Sequence, residues 1–185
     1  YIQAGGGYVG VHSATDTEYG WPWYGKLAGA YFDSHPNNPN VQEGTVNVVQ
    51  ANHPSTDSLP SSWSVADEWY NFKAIEPTNN VLITVDESTY NGGTNGSPHP
   101  ISWYKEYDGG RSFYTAMGHT IEQFSNTKFL SHLLGGIKYA VGLGQHVDYS
   151  KAYAELVPEE NRFMKTVFTQ NLNEPMELDF LSDNK

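Results

Sequence analysis

Short apolar runs alternate with helical patterns along most of the chain, and this alternation constrains the fold more than any other feature. The runs at 8–11 and 80–85, YVGV and NVLITV, are typical of buried strands. Residues 125–142 have the apolar spacing of an amphipathic helix, and 21–32 predict another, with Pro22 in its first turn. Because such layers pack helices against a sheet, we predict an α/β fold with a mostly parallel sheet.

Further strands are predicted between these elements. Residues 44–50 alternate as a strand does, and 101–119 form a hairpin in which a DGG turn joins two apolar runs. Residues 53–72 are interpreted as mostly irregular. The chain therefore alternates ordered runs with long loops that are rich in Gly, Pro and Asn.

The character of the sequence changes near its end. We expect a domain over 1–142, a polar linker over 143–158 and a short β tail over 159–185. The tail contains two apolar runs around the turn NLNEP, which is the pattern of two strands.

Charge and residue content exclude several classes of function. The formal net charge is -11 and no basic patch is present, so we predict no nucleic acid partner and no membrane partner. The absence of cysteine excludes disulfides, thiolate metal sites and a cysteine nucleophile.

Two of the seven histidines end predicted strands: His12 follows YVGV and His119 follows FYTAMG. If both strands lie in one parallel sheet, the two imidazoles project from the edge where α/β folds bind ligands. Histidine can give or take a proton near neutral pH, and two imidazoles with a carboxylate can also bind a divalent metal. No H-E-x-x-H spacing is present to select a metal. The candidate carboxylates are Asp16, Glu18, Glu68 and Glu122.

Two of these charged positions have more specific interpretations. Glu68 lies among aromatic residues in ADEWYNF, where partial removal from water suits a carboxyl group to acid–base catalysis; the alternative is an outward-facing strand residue. Arg111 is interpreted either as a clamp on a substrate oxygen or as a salt-bridge residue at the hairpin. Candidates for substrate binding are Trp21, His35, Tyr70, His99, Trp103 and Glu122. The aromatic ones could instead be packing, and the loop histidine His99 could simply be exposed.

Several motifs together resemble the trehalose utilisation (ThuA-like) family of the class I glutamine amidotransferase-like superfamily. They are the segment 5–36, which begins GGGYVGVHSATD, the dipeptide HP at 53–54, DEWYNF at 67–72, the segment 99–119 and FLSHLLGGIKYAVG at 129–142. The resemblance implies a flavodoxin-like α/β sandwich over about 1–142. It also implies that the family's first strand and following helix are absent from this sequence.

The resemblance also implies roles for the site residues. His12 takes the position of the amidotransferase cysteine, so thiolate hydrolysis of glutamine is not available, and His119 with Glu122 resemble a later catalytic pair. A carbohydrate-active domain is implied, which cleaves a bond or abstracts a proton next to a carbonyl of a sugar or ketosugar. His12 or Glu68 would be the base, His119 the acid, and Arg111 or a divalent metal would polarise oxygen. The alternatives are a non-catalytic glycan-binding or docking module and an inactive structural fragment.

The segment 160–185 is similar to the start of a β-propeller of the PQQ-dependent soluble sugar dehydrogenase type. This similarity implies a covalently continuous C-terminal propeller as a partner, a small carbohydrate as the substrate, and a periplasmic or extracellular location. No propeller catalytic residue is present, so no PQQ site is predicted here. The only cofactor that the sequence suggests is the divalent metal.

Overall fold

The elements of the fold follow the apolar runs of the sequence. The computed structural model describes residues 1–152, so the predicted β tail over 159–185 lies outside the described residues. Residues 1–152 form one unit. Its strands and α-helices are β1 (Gly7–Val11), α1 (Pro22–Ala28), β2 (Tyr31–Ser34), β3 (Val41–Val48), β4 (Ser62–Glu68), β5 (Asn71–Lys73), β6 (Asn80–Asp86), β7 (His99–Tyr107), β8 (Gly110–Thr115) and α2 (Thr127–Val141).

Six of the strands form one mixed sheet in the order β1-β8-β7-β6-β3-β4, and β2 pairs with β5 separately. The pair β1–β8 is parallel, whereas the four other neighbouring pairs of the large sheet are antiparallel. The α/β class is confirmed, but the prediction of a mostly parallel sheet is wrong. Loops rather than helices join β3 to β4 and β7 to β8, and such connections give antiparallel neighbours.

Two segments differ from the sequence prediction. The chain leaves α1 at Gly29, whose left-handed conformation (φ 96°) ends the helix, so residues 31–34 form β2 instead of a last helical turn. Residues 62–68 form β4 instead of an irregular segment. Because β4 pairs with β3 along Val41–Asn47, its strand conformation depends on a partner distant in sequence.

Helices α1 and α2 contact strand β8 through neighbouring residues. The Ser112 hydroxyl donates to the Leu27 carbonyl of α1, whereas the ring of the next residue, Phe113, lies 5.2 Å from the ring of His132 in α2. Successive side chains of a strand point to opposite faces, so the two helices cover the two faces of β8. The core around this strand contains the fully buried Trp103, Phe113 and Tyr114. This packing fixes the end of β8, from which His119 emerges.

The parallel pairing of β1 with β8 brings the residues that follow both strands to one edge of the sheet. Within residues 1–152, no helix is both long enough and apolar enough to cross a membrane.

Candidate functional site

Three side chains meet at the ends of three strands. His12 follows β1, His119 follows β8 after a short turn, and Glu68 is the last residue of β4. The distance from Glu68 Oε2 is 3.1 Å to His12 Nε2 and 3.2 Å to His119 Nδ1, and the two imidazole nitrogens are 3.1 Å apart. The structure therefore joins three of the sequence candidates in one group, here called the His12 cluster.

The His12 ring is held in one tautomer. Its Nδ1 lies 2.7 Å from the carbonyl oxygen of Ala116, which can only accept, so Nδ1 carries the hydrogen and donates it. Nε2 of the neutral ring then carries a lone pair, which points at Glu68 and His119. The backbone of His12 is left-handed (φ 45°), and the Tyr114 hydroxyl donates to the His12 carbonyl at 2.7 Å. A left-handed histidine is uncommon, and this conformation aims the ring into the cluster.

Glu68 is almost completely removed from solvent, with 4% of its surface exposed. Its Oε1 accepts a hydrogen bond of 3.1 Å from the Asn40 side-chain amide, and His35 Nδ1 lies 3.6 Å from the same oxygen. The other oxygen, Oε2, faces the two histidines. One carboxylate therefore divides its oxygens between a fixed support and the cluster.

Asp67 positions two members of the cluster through the backbone. Its Oδ1 accepts from the N–H groups of His119 at 3.0 Å and Glu68 at 2.9 Å, and its Oδ2 accepts from the N–H of Gly118 at 2.8 Å. Burial raises the pKa of Asp67 above its ordinary value, and the three N–H groups act in the opposite direction. Neither Asp67 nor Asn40 was predicted from the sequence, although Asp67 is next to Glu68 in ADEW and begins the motif DEWYNF.

Two predicted binding residues lie against the cluster. The Tyr70 ring packs 4.1 Å from the ring of His12 and stacks on His35 at 6.1 Å. Burial raises the pKa of Tyr70 to about 12, so its hydroxyl stays neutral near pH 7. Tyr70 is itself buried and His35 is half-buried, so of these two His35 is the more accessible to a ligand.

Five other predicted site residues are not part of the cluster, and the expected catalytic placement of Arg111 is corrected. Arg111 lies at the opposite end of β8, where its guanidinium donates to the carbonyls of Gly5, Ala140 and Val141 and closes the end of α2. His99 is fully buried between the Tyr70 carbonyl and Glu87, and burial lowers its pKa.

Trp103 is also fully buried, and its indole donates to the Ala28 carbonyl at 2.8 Å, so it offers no face to a sugar. Trp21 is half-buried at the start of α1 and stacks on Trp23 at 5.2 Å and Tyr24 at 6.0 Å. Glu122 is exposed in the 3-10 helix Ile121–Ser125. The carboxylate beside His119 is thus that of Glu68 and not that of Glu122.

The arrangement suits two kinds of chemistry. Two imidazoles and a carboxylate within hydrogen-bond distance can transfer protons, and the same three atoms lie close enough together to hold a metal ion. His119 supplies the open side, since 36% of its side chain is exposed.

Comparisons with known proteins agree on a family. A ThuA-like protein from Bacteroides uniformis is 28% identical, with a TM-score of 0.64 over 81% of this chain and 62% of that chain. One from Parabacteroides merdae is 24% identical, with a TM-score of 0.66 over 80% of this chain and 65% of that chain. This chain thus spans less than two thirds of each, and no curated protein sequence matches it. The profile of the trehalose utilisation (ThuA) family matches residues 1–140, and the chain belongs to that family.

Proposed function

We propose that this domain cleaves or rearranges a small carbohydrate, with the His12 cluster as its reaction centre. The observation that carries the proposal is the convergence of His12 Nε2, His119 Nδ1 and Glu68 Oε2 within 3.1–3.2 Å at an accessible edge of the sheet. The description of the family as trehalose utilisation supports a carbohydrate substrate. A ketosugar fits best, because its carbonyl acidifies the neighbouring C–H bond, on which a histidine can act.

The proton-transfer route assigns a role to each group. His12 Nε2 takes a proton from the carbon next to the sugar carbonyl, since its Nδ1–H is already committed to Ala116. Glu68 stabilises the imidazolium that forms, because its carboxylate lies within hydrogen-bond distance of His12 Nε2. His119, the most exposed of the three, gives a proton to the leaving oxygen. The C–H electron pair becomes the new C=C bond, and the C–O bond breaks.

The test measures product release from a panel of disaccharides and their oxidised, ketosugar forms by chromatography. We expect turnover of at least one ketosugar, with a loss on the order of 100-fold or more in His12→Ala and in Glu68→Gln. His146→Ala is the matched control, because His146 is exposed and lies outside the cluster. Equal turnover in all four proteins would place the reaction elsewhere.

A glycan-binding module is the second candidate, and the stacked rings of Trp21, Trp23 and Tyr24 favour it because aromatic faces of this kind pack against sugars. It predicts a saturable change of tryptophan fluorescence with unmodified disaccharides, unaltered by His12→Ala and without any turnover. Several other expectations stay predictions of the sequence. They are the fused sugar dehydrogenase propeller, the flavodoxin-like class, export to the periplasm or medium, and the absence of nucleic acid and membrane partners.

A further inference from the structure

We propose that the His12 cluster binds a divalent transition-metal ion through His12 Nε2, His119 Nδ1 and Glu68 Oε2. The inference deepens the proposed function and rests on its assignment of this cluster as the reaction centre. A cation bound by the three atoms would bridge the three side chains, a role that the proton-transfer route leaves open.

Two of the three atoms present lone pairs to each other. The hydrogen of a neutral His12 is on Nδ1, because the Ala116 carbonyl can only accept, so Nε2 presents a lone pair. Glu68 Oε2 also presents lone pairs, and it lies 3.1 Å from His12 Nε2. Two acceptors at that distance repel each other unless a positive charge lies between them. A hydrogen on His119 Nδ1 can bind either His12 Nε2 or Glu68 Oε2. A cation can bind both of these atoms and His119 Nδ1 as well.

The triangle formed by the three atoms has the size that a metal ion requires. Its sides are 3.1, 3.2 and 3.1 Å. An ion at the ordinary ligand distance of about 2.1 Å from all three atoms would lie about 1 Å out of their plane. Neighbouring ligands of a tetrahedral or octahedral ion at that distance are roughly 3.0–3.4 Å apart. The three atoms already have this spacing, so little rearrangement is needed.

Hydrogen bonds to neighbouring groups support each of the three ligand residues. Histidine ligands of metals usually donate their second ring N–H to a backbone carbonyl or carboxylate, as His12 does to Ala116. The remaining oxygen of Glu68 accepts from Asn40. The buried Asp67 holds the backbone N–H groups of Glu68 and His119. Supports of this kind orient the three ligand atoms toward one another, as a metal site requires.

The ligand types select the class of ion. Two imidazoles and one carboxylate suit zinc, iron, manganese or cobalt, whereas magnesium and calcium prefer oxygen ligands alone. Three protein ligands leave at least one coordination position open, and the exposed side of His119 gives access to it. A metal held in this way would polarise a carbonyl or hydroxyl oxygen of the substrate.

The test is calorimetric titration of zinc into the full chain after removal of metals with a chelator. We expect one ion per chain and a rise of the melting temperature with zinc, because the ion binds the folded state. His12→Ala and His119→Gln should each lower the affinity on the order of 100-fold. The exposed position of His119 makes His119→Gln the safer variant if His12→Ala does not melt cooperatively.

His146→Ala is the matched control and should bind as the unmodified chain does. Absence of binding to the unmodified chain, or unchanged affinity in His119→Gln, would overturn the metal site. The two proposals fail separately. Zinc binding without turnover of any sugar would sink the function and keep the metal, whereas undiminished turnover in chelator with no zinc binding would sink the metal and keep the function.

Discussion

His12 and His53 are both buried histidines packed against a tyrosine ring, yet their lone-pair nitrogens face opposite kinds of partner. The ring of His12 lies 4.1 Å from that of Tyr70, and the ring of His53 lies 4.3 Å from that of Tyr104. His53 Nδ1 accepts from the backbone N–H of Ser55 at 3.2 Å and faces its hydroxyl at 2.8 Å. The lone pair of His12 faces another acceptor instead.

The difference separates a histidine that serves the fold from one that is poised for chemistry. In His53 the lone pair is matched by donors. The other nitrogen, Nε2, has no hydrogen-bond partner among the described residues, so the ring contributes mainly by packing. In His12 the burial is similar, but the mismatch can be relieved only by a proton or a cation. Burial together with a mismatch is the combination expected at a reaction centre.

The largest expected effect in this comparison is a loss of folding stability at acid pH that is caused by His53. Burial lowers the pKa of His53 to about 4, below about 6.5 in the unfolded chain. Between these values the unfolded chain binds the proton and the folded chain does not, so stability falls as the pH drops from 6.5 to 4. The full loss from this residue is about 3 kcal/mol.

The matched variant is His53→Asn, which keeps an acceptor near the Ser55 N–H but cannot titrate. Urea unfolding at pH 7 and pH 4 should show the unmodified chain losing about 3 kcal/mol more than the variant. Titrating groups that do not interact with His53 are present in both proteins and cancel. Burial also lowers the pKa of His132 to about 4, and His53 adds a smaller part of that lowering, so His132 cancels except for this part. A pH dependence that is the same in both proteins would remove His53 from the explanation.

A smaller effect on stability is expected from replacing Asp67, which supports the His12 cluster through the N–H groups of Glu68 and His119. Asp67→Asn keeps one oxygen acceptor and turns an amide group toward a backbone N–H, so at least one of the three N–H groups loses its partner. We expect a loss of about 2 kcal/mol in unfolding free energy, measured with urea in the presence of chelator.

The zinc affinity of the same variant should fall about tenfold, because the backbone that carries His119 and Glu68 loosens. Asp57→Asn is the control, since Asp57 is exposed. Unchanged zinc binding in Asp67→Asn with the expected loss of stability would make Asp67 a residue of the fold alone.

The placement of His12 and His119 could be predicted from local information and one assumption about pairing. Each follows an apolar run, and strands that run in parallel end at the same edge. The pairing of β1 with β8 supplies that condition, although the rest of the sheet is antiparallel. Glu68 was found by its aromatic neighbours, even though the strand that carries it was not predicted.

The other residues show where local information stops. Asp67 accepts from backbone groups 51 and 52 positions away, and no spacing in the sequence encodes such a contact. Arg111 was selected as a rare cation, but it precedes β8's apolar run, whereas His119 follows it. Opposite ends of one strand lie at opposite edges of the sheet, and this explains its distance from the cluster. Trp103 and His99 were selected by residue type, which does not report burial.

The smallest effect concerns the backbone of His12. The difference in stability between the glycine and alanine variants should have opposite signs at His12 and His53. His12 has φ 45°, where a Cβ is disfavoured and glycine is not. His12→Gly should therefore be more stable than His12→Ala by about 1 kcal/mol, measured by urea unfolding in chelator. Both variants lose the same ring, so their difference reports the backbone conformation and the one methyl group that alanine keeps.

At His53, which is not among the positions with positive φ, the order should be the ordinary one. His53→Gly is expected to be less stable than His53→Ala by about 0.5–1 kcal/mol, because glycine loses more conformational freedom on folding. Equal signs at the two positions would mean that the backbone of His12 relaxes freely once the ring is gone. Opposite signs would show that the fold holds this residue in an unfavourable conformation, and the left-handed turn would then belong to the reaction centre as much as the imidazole does.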